Sequence, residues 1–142
     1  MKKLLMMLAL GTSVAFVACG QKLAASKVPA AVKASFAKEY PGITPKWEKE
    51  NSNYEVNFKK SGNAMSLLIG PNGNILETEM DIKIADLPPI VLVYVKEHYP
   101  GKTIKEAAKL SKADGSVNYE AEVNGKDVIF DANGKFIKEA KD

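Results

Sequence analysis

Two stretches of the sequence, VPAAVKASFAKEYPG at residues 28–42 and LPPIVLVYVKEHYPG at residues 87–101, are versions of one motif placed 59 residues apart. In both copies apolar residues recur every four positions, a proline stands second, and Tyr-Pro-Gly closes the motif. Side chains four apart lie on one face of a helix, proline fits a helix start, and Pro-Gly ends a helix. Each copy therefore predicts one amphipathic helix.

Alternating apolar and polar residues follow each helix, which is the pattern of half-buried strands. Tyr54, Val56 and Phe58 alternate with polar residues in the first copy, and residues 117–123 do so in the second. Asn124-Gly125 is a strong hairpin signal. We predict further strands at residues 46–49, 64–69 and 74–82, and at 104–110, 126–130 and 135–140. Residues 104–110 have high helix propensity, and only the repeat makes them a strand.

The order of matching segments is the same in both copies, which indicates a tandem repeat. We predict an α+β fold of two units, residues 28–82 and 83–142, each with one helix followed by an antiparallel sheet of about four strands. The helices pack on one sheet face. Units of ~60 residues are marginally stable alone, so we expect the two to pack together. The predicted core residues are Phe36, Tyr54, Val56 and Phe58 in the first unit, and Val95, Tyr119, Val123 and Phe130 in the second.

The first 18 residues have the composition of a secretory signal peptide. Two lysines precede an almost unbroken apolar run, which small residues follow before Cys19. Phe16-Val17-Ala18-Cys19 is similar to a bacterial lipobox, although an aliphatic residue is usual at the position of Phe16. We predict lipidation of Cys19, a tether over residues 19–27, and export to the cell envelope with anchoring in the outer membrane. Cleavage after Ala15 and a retained membrane anchor are the alternatives.

Charge and residue type argue against nucleic acid as a partner. Without the two leader lysines the chain has 18 basic and 17 acidic residues, and every basic residue is lysine. Arginine is the residue that makes bidentate contacts with phosphate and bases. Lysine also alternates with acidic residues along the strands, so no basic patch forms in the sequence.

The ordered motifs resemble the PepSY-like family and the tandem plan of the β-lactamase-inhibitor-protein fold. The resemblance covers residues 28 to the C-terminus and is carried by the proline-initiated helix, the Tyr-Pro-Gly stop, the Tyr54-Glu55-Val56 strand and the Asn-Gly turns. The first copy departs from it at Gly70 and the second lacks a counterpart of Trp47. The resemblance implies an exported, non-catalytic module that binds or inhibits other envelope or secreted proteins.

The sequence contains no convincing catalytic or metal-binding set, and we predict neither an enzyme nor a cofactor. His98 lies on the polar side of its helix, which favours a solvated residue over a catalytic base. Asp131 begins an Asp-Ala-Asn-Gly turn without the further oxygen ligands that calcium needs. Acidic pairs such as Glu120 and Glu122 are interpreted as the solvated face of a strand. Trp47 is interpreted as a core residue.

One face of the predicted sheet is left without helices. If Ile69, Ile75, Phe130 and Phe136 face the helices, their neighbours point to the other face, since adjacent strand residues alternate. These neighbours are Leu68, Leu76, Ile129 and Ile137. We predict that they form an apolar binding patch for an unidentified envelope or secreted protein or peptide. A structural or stress-related lipoprotein without a ligand is the alternative, and a hydrolase is the least favoured function.

Overall fold

The computed structural model describes residues 20–141; the predicted signal peptide and Cys19 lie outside the described residues. The first half of the chain contains, in order, β1 (Gln21–Leu23), α1 (Ala30–Glu39), β2 (Lys46–Glu50), β3 (Asn53–Lys60), β4 (Asn63–Ile69) and β5 (Ile75–Ile82). The second half contains α2 (Pro89–His98), β6 (Ile104–Lys112), β7 (Val117–Val123), β8 (Lys126–Asp131) and β9 (Phe136–Lys141). Short 3₁₀ turns, Ala25–Lys27 and Ile84–Asp86, precede the two helices.

All nine strands belong to one antiparallel sheet in which spatial order follows chain order from β1 to β9. The two halves join where β5 pairs with β6, with Thr78 opposite Ser111. The sequence left open whether the units share a sheet, and the structure shows that they do. One continuous sheet gives both units a common face opposite the helices.

The first core lies between α1 and the sheet. Val32 and Phe36, four residues apart on α1, are almost fully buried and pack against Trp47, Val56 and Phe58. The Phe36 ring meets the Trp47 ring edge-on at 5.7 Å and the Phe58 ring at 5.1 Å. The interpretation of Trp47 as a core residue is confirmed.

The second core repeats this arrangement under α2. Val91 and Val95 are buried on the helix, and they face a sheet surface of small and β-branched residues together with Phe130. The predicted core residues Val95, Val123 and Phe130 are confirmed, while Tyr54 and Tyr119 are half-buried and pack at the margins of the two clusters. A tyrosine at such a margin keeps its hydroxyl near water.

The structure revises one predicted segment and confirms another. Residues 19–27 were predicted as a tether, but Gln21–Leu23 is an edge strand paired with β2, and Leu23 packs against the first core. A three-residue strand is too short to leave a periodic signal in the sequence. The strand predicted at residues 104–110 is confirmed as β6, because pairing on both sides outweighs local helix propensity.

Each unit carries a β-bulge at the same place. The pairing register shifts between Leu68 and Ile69 in β4, and again between Ile129 and Phe130 in β8. In the turn that follows β8, Gly134 has a φ of 82° and lies against α2. A Cβ atom at this position would come within 2.3 Å of the Ile90 side chain. The glycine therefore allows the turn to pack on the helix.

Candidate functional site

The sheet face opposite the two helices, called here the helix-free face, is rich in carboxylates. Residues directly opposite each other in an antiparallel sheet share a face. The pairing places Glu48, Glu55 and Glu77 in one row with Leu68, and it places Asp81 in another row with Glu120. Alternation along each strand puts further acidic side chains on the same side.

This face contains a hollow of about 580 Å³. Eight acidic residues line this acidic hollow, against two lysines, Lys59 and Lys83. The acidic residues are Glu55, Glu79, Asp81, Asp86, Glu106, Glu120, Glu122 and Asp127. The chain that follows the leader is almost neutral overall, so negative charge is strongly concentrated in this hollow.

Several of these carboxylates are removed from water. Glu120 is 7% exposed, Glu122 3% and Asp127 5%. The interpretation of Glu120 and Glu122 as a solvated strand face is therefore wrong. Strand periodicity predicts the sheet face on which a side chain lies. How deeply that side chain is buried depends on the neighbouring strands and their side chains.

Glu79 lies in the middle of the acidic surroundings. Burial, together with the nearby charges of Glu55 and Asp81, raises the pKa of its carboxyl group to about 8. The Ser66 hydroxyl donates a long hydrogen bond of 3.5 Å to Glu79 Oε2. Desolvation and like charge both favour the protonated form of a carboxyl group. The negative charge of the hollow therefore increases as the pH rises through neutrality.

Glu77 lies two residues away on the same strand and the same face. Its pKa is raised to about 7, because the effect of burial outweighs the lowering effect of the positive charge of Lys112. Glu77 is 5% exposed, and its Oε2 atom is buried without a hydrogen-bond partner. An unsatisfied buried oxygen of this kind favours the approach of a donor or a cation. Asp81, on the rim, also has a raised pKa, caused by burial and by Glu106.

The four residues predicted to form an apolar patch do not lie together on the sheet. Leu68 and Ile129 do lie on the helix-free face, because they pair with Glu55 and Glu120 respectively. Leu68 is half-buried and Ile129 is 7% exposed, each within an acidic row of the sheet. Since β4 and β8 are separated by three strands, these two residues do not form one patch.

Leu76 and Ile137 occupy the bulges. Each is the extra residue at its register shift, between Ile75 and Glu77 in β5 and between Phe136 and Lys138 in β9. They are 36% and 48% exposed. The four residues are thus dispersed over the sheet, and their part in binding stays a prediction.

Two other candidates have structural explanations. Asp131 Oδ1 accepts hydrogen bonds of 2.9 Å from the backbone N–H groups of Asn133 and Lys135, which holds the turn between β8 and β9. The turn interpretation is confirmed. His98 is exposed at the end of α2, with its ring stacked on Tyr94 at 3.9 Å. Within residues 20–141, no group of three or more metal-ligating side chains is placed to hold an ion.

The acidic hollow is not among the predictions from the sequence, although the sequence contains a pattern that indicates it. Acidic residues recur at every second position in Glu77, Glu79 and Asp81, and again in Glu120 and Glu122. The pairing of β5 with β6 then brings the two sets into neighbouring strands. Repeated same-face carboxylates in both units of one sheet would have indicated an acidic surface.

A family model described as "Putative beta-lactamase-inhibitor-like, PepSY-like" matches residues 17–77 and again residues 71–138. A "BLIP-like protein" from Bacteroides fragilis is 28% identical, with a TM-score of 0.63 over 78% of this chain and 84% of that one.

Two further solved structures show the same fold. A "putative periplasmic" protein from Bacteroides eggerthii has a TM-score of 0.71 at 13% identity, covering 79% of this chain and 87% of its own. A DUF2874 family protein from Bacteroides uniformis has a TM-score of 0.69 at 19% identity, covering 78% and 87%. No curated protein sequence is significantly similar.

Between residues 20 and 141, neither helix has the length and apolar character to cross a bilayer.

Proposed function

The chain belongs to the PepSY-like family, and from this membership we propose that it is a non-enzymatic protein of the cell envelope that binds a basic segment of another protein in the acidic hollow. Lipid on Cys19 anchors it in the outer membrane. The observation that supports the binding function is the charge of the hollow, eight acidic residues against two lysines.

The size of the hollow limits what enters it. A volume of about 580 Å³ is within the range of ~300–1,000 Å³ of small-ligand pockets. It accommodates one or two lysine or arginine side chains rather than a folded domain. The partner therefore presents a protruding basic segment. The sheet surface around the hollow contacts the part of the partner next to that segment.

The electrostatics favour a cationic ligand over an anionic or neutral one. A lysine or arginine that enters the hollow adds positive charge beside its eight carboxylates and can form charge-assisted hydrogen bonds with groups on the rim such as Asp81 and Glu106. A cationic ligand also lowers the pKa of Glu79, because it stabilises the ionised carboxylate. Binding is accordingly coupled to proton release.

A titration tests this function. The chain from residue 19, with Cys19→Ser, is titrated calorimetrically with a lysine decapeptide and with a glutamate decapeptide. We expect saturable binding of the lysine peptide alone, stronger at pH 8 than at pH 6 and weaker at high salt.

Matched variants identify the surface. Asp81→Asn with Glu106→Gln removes two exposed charges from the rim of the hollow, and Glu39→Gln with Glu97→Gln removes two exposed charges from the helices. The rim variant should bind about tenfold more weakly, and the helix variant should bind as the parent does. Equal loss in both variants would mean that only net charge is sensed, and the hollow would not be the site.

A further inference from the structure

Helix α2 exposes large apolar side chains that its counterpart does not have. Ile90 is 55% exposed and Val93 52%. The repeat offset of 59 residues places Ala31 and Ala34 at the matching positions of α1. The two helices bury the same faces, so the difference is confined to the outer side of the second helix.

An aromatic pair lies next to Ile90 and Val93. The Tyr94 ring stacks on the Phe136 ring, with 5.1 Å between centroids and 8° between planes, and Phe136 is 36% exposed. Residues three and four apart are neighbours on a helix, so Val93 and Tyr94 both adjoin Ile90. We call Ile90, Val93, Tyr94 and Phe136 the apolar helix patch.

The helix side of the molecule is basic, in contrast to the hollow. Residues 24–45 and 89–103 together contain five lysines and two glutamates. Lys33, Lys38 and Lys96 are exposed on the two helices. An apolar patch within a lysine-bearing surface is the pattern of proteins that lie on anionic membranes. Two such surfaces would repel each other, which disfavours a second copy as the occupant.

The position of the anchor adds a second argument. Strand β1 begins at Gln21, so a single residue, Gly20, separates it from Cys19. A lipid on Cys19 would therefore hold the β1 edge of the sheet close to the bilayer. Of the two sheet faces, the acidic one would be repelled by anionic lipid and the helix side would be attracted.

We propose that the apolar helix patch, together with the lysines of both helices, contacts the surface of an anionic bilayer and turns the acidic hollow away from it. The inference rests on the proposed location at a membrane but not on peptide binding in the hollow. Insertion of Ile90 and Val93 among the headgroups supplies the apolar contribution, and the lysines supply the preference for anionic lipid.

Vesicle binding of the unlipidated chain tests this contact separately from the anchor. The chain from residue 19, with Cys19→Ser, is sedimented with vesicles of phosphatidylglycerol and phosphatidylethanolamine, and with vesicles of phosphatidylcholine. We expect binding to the anionic vesicles only. Ile90→Ser with Val93→Ser should reduce it about tenfold, whereas Ala31→Ser with Ala34→Ser should leave it unchanged.

A fluorescent probe keeps the test valid if the serine variant folds poorly. Cys19 is the only cysteine, so in the Cys19→Ser background Val93→Cys gives one labelling site, and Ala34→Cys gives its control. A polarity-sensitive dye at position 93 should shift to the blue on adding anionic vesicles, by more than at position 34. Equal shifts, no binding of the parent chain, or equal binding to phosphatidylcholine would each overturn the proposal. A parent dimer that the Ile90→Ser, Val93→Ser variant converts to a monomer would overturn it too.

Discussion

Among the residues described here, Glu79 has a carboxyl group whose pKa is changed strongly by its surroundings. Glu79 is half-buried and faces the charges of Glu55 and Asp81, and the pKa of its carboxyl group is raised to about 8. In an unfolded chain the same group ionises near its ordinary value of ~4.3. Between these two values the folded protein holds a proton that the unfolded chain has lost. Folding stability from this group is therefore full at acidic pH and falls as the pH rises towards 8.

Glu79→Gln should make stability less dependent on pH and raise it at pH 8, by about 1–3 kcal/mol, since the amide has no charge to desolvate. Urea denaturation at pH 5, 7 and 8.5 measures the effect. Glu97→Gln removes an exposed glutamate from α2 and is the control. A Glu79→Gln curve parallel to that of the parent chain would show that Glu79 does not titrate as described.

At the scale of elements, turns and helices could be predicted because their signals are local. Tyr-Pro-Gly ends both helices, and Asn124 and Gly125 form the β7–β8 turn with positive φ values of 55° and 72°. Two features could not be predicted in this way. Strand β1 depends on pairing with Trp47–Lys49, which is distant in sequence, and the burial of Glu122 depends on the strands beside it.

The contact between the β8–β9 turn and α2 gives a test at this scale. Gly134→Ala should destabilise the protein through positive φ, ~1–2 kcal/mol, and through overlap with Ile90, a further ~1–3 kcal/mol. Gly125 has a φ of 72° and open space around it, so Gly125→Ala should show the first effect alone. Equal losses in urea denaturation would mean that the turn does not pack on the helix.

Each core contains one buried phenylalanine on a strand under its helix. Phe58 is 3% exposed and Phe130 is fully buried. Phe58→Ala and Phe130→Ala should each cost ~3–5 kcal/mol, because they leave a cavity beside the helix. Because one sheet joins the units, we expect a single unfolding transition in both variants. Melting curves indistinguishable from that of the parent chain would contradict the assigned cores.

At the scale of the whole molecule, the chain is polarised across its sheet. The helices and their lysines lie on one side and the acidic hollow on the other. The fold class and tandem plan followed from the sequence, because the repeat preserves them. The acidic surface did not, since it forms only when β5 and β6 join the two units.

The anchor is tested in cells at this same scale. Cys19→Ser should prevent lipidation and release the protein from the membrane fraction into the soluble fraction. Stable anchoring requires more than one acyl chain, and the unlipidated chain retains only the weaker contact of its surface. Intact-mass measurement of the parent protein should show diacylglycerol on Cys19 as the first residue. An unmodified cysteine, or a mature start at another residue, would contradict the anchor.

Site-specific photocrosslinking in intact cells tests most directly the claim that the acidic hollow is the partner-binding surface. A photoreactive benzoylphenylalanine replaces Glu106 on the exposed rim of the hollow in one variant, and Lys38 on α1 in another. We predict a discrete crosslinked protein from position 106 that disappears with Asp81→Asn, and none from position 38. The same crosslinked protein from both positions, or from position 38 alone, would contradict the account.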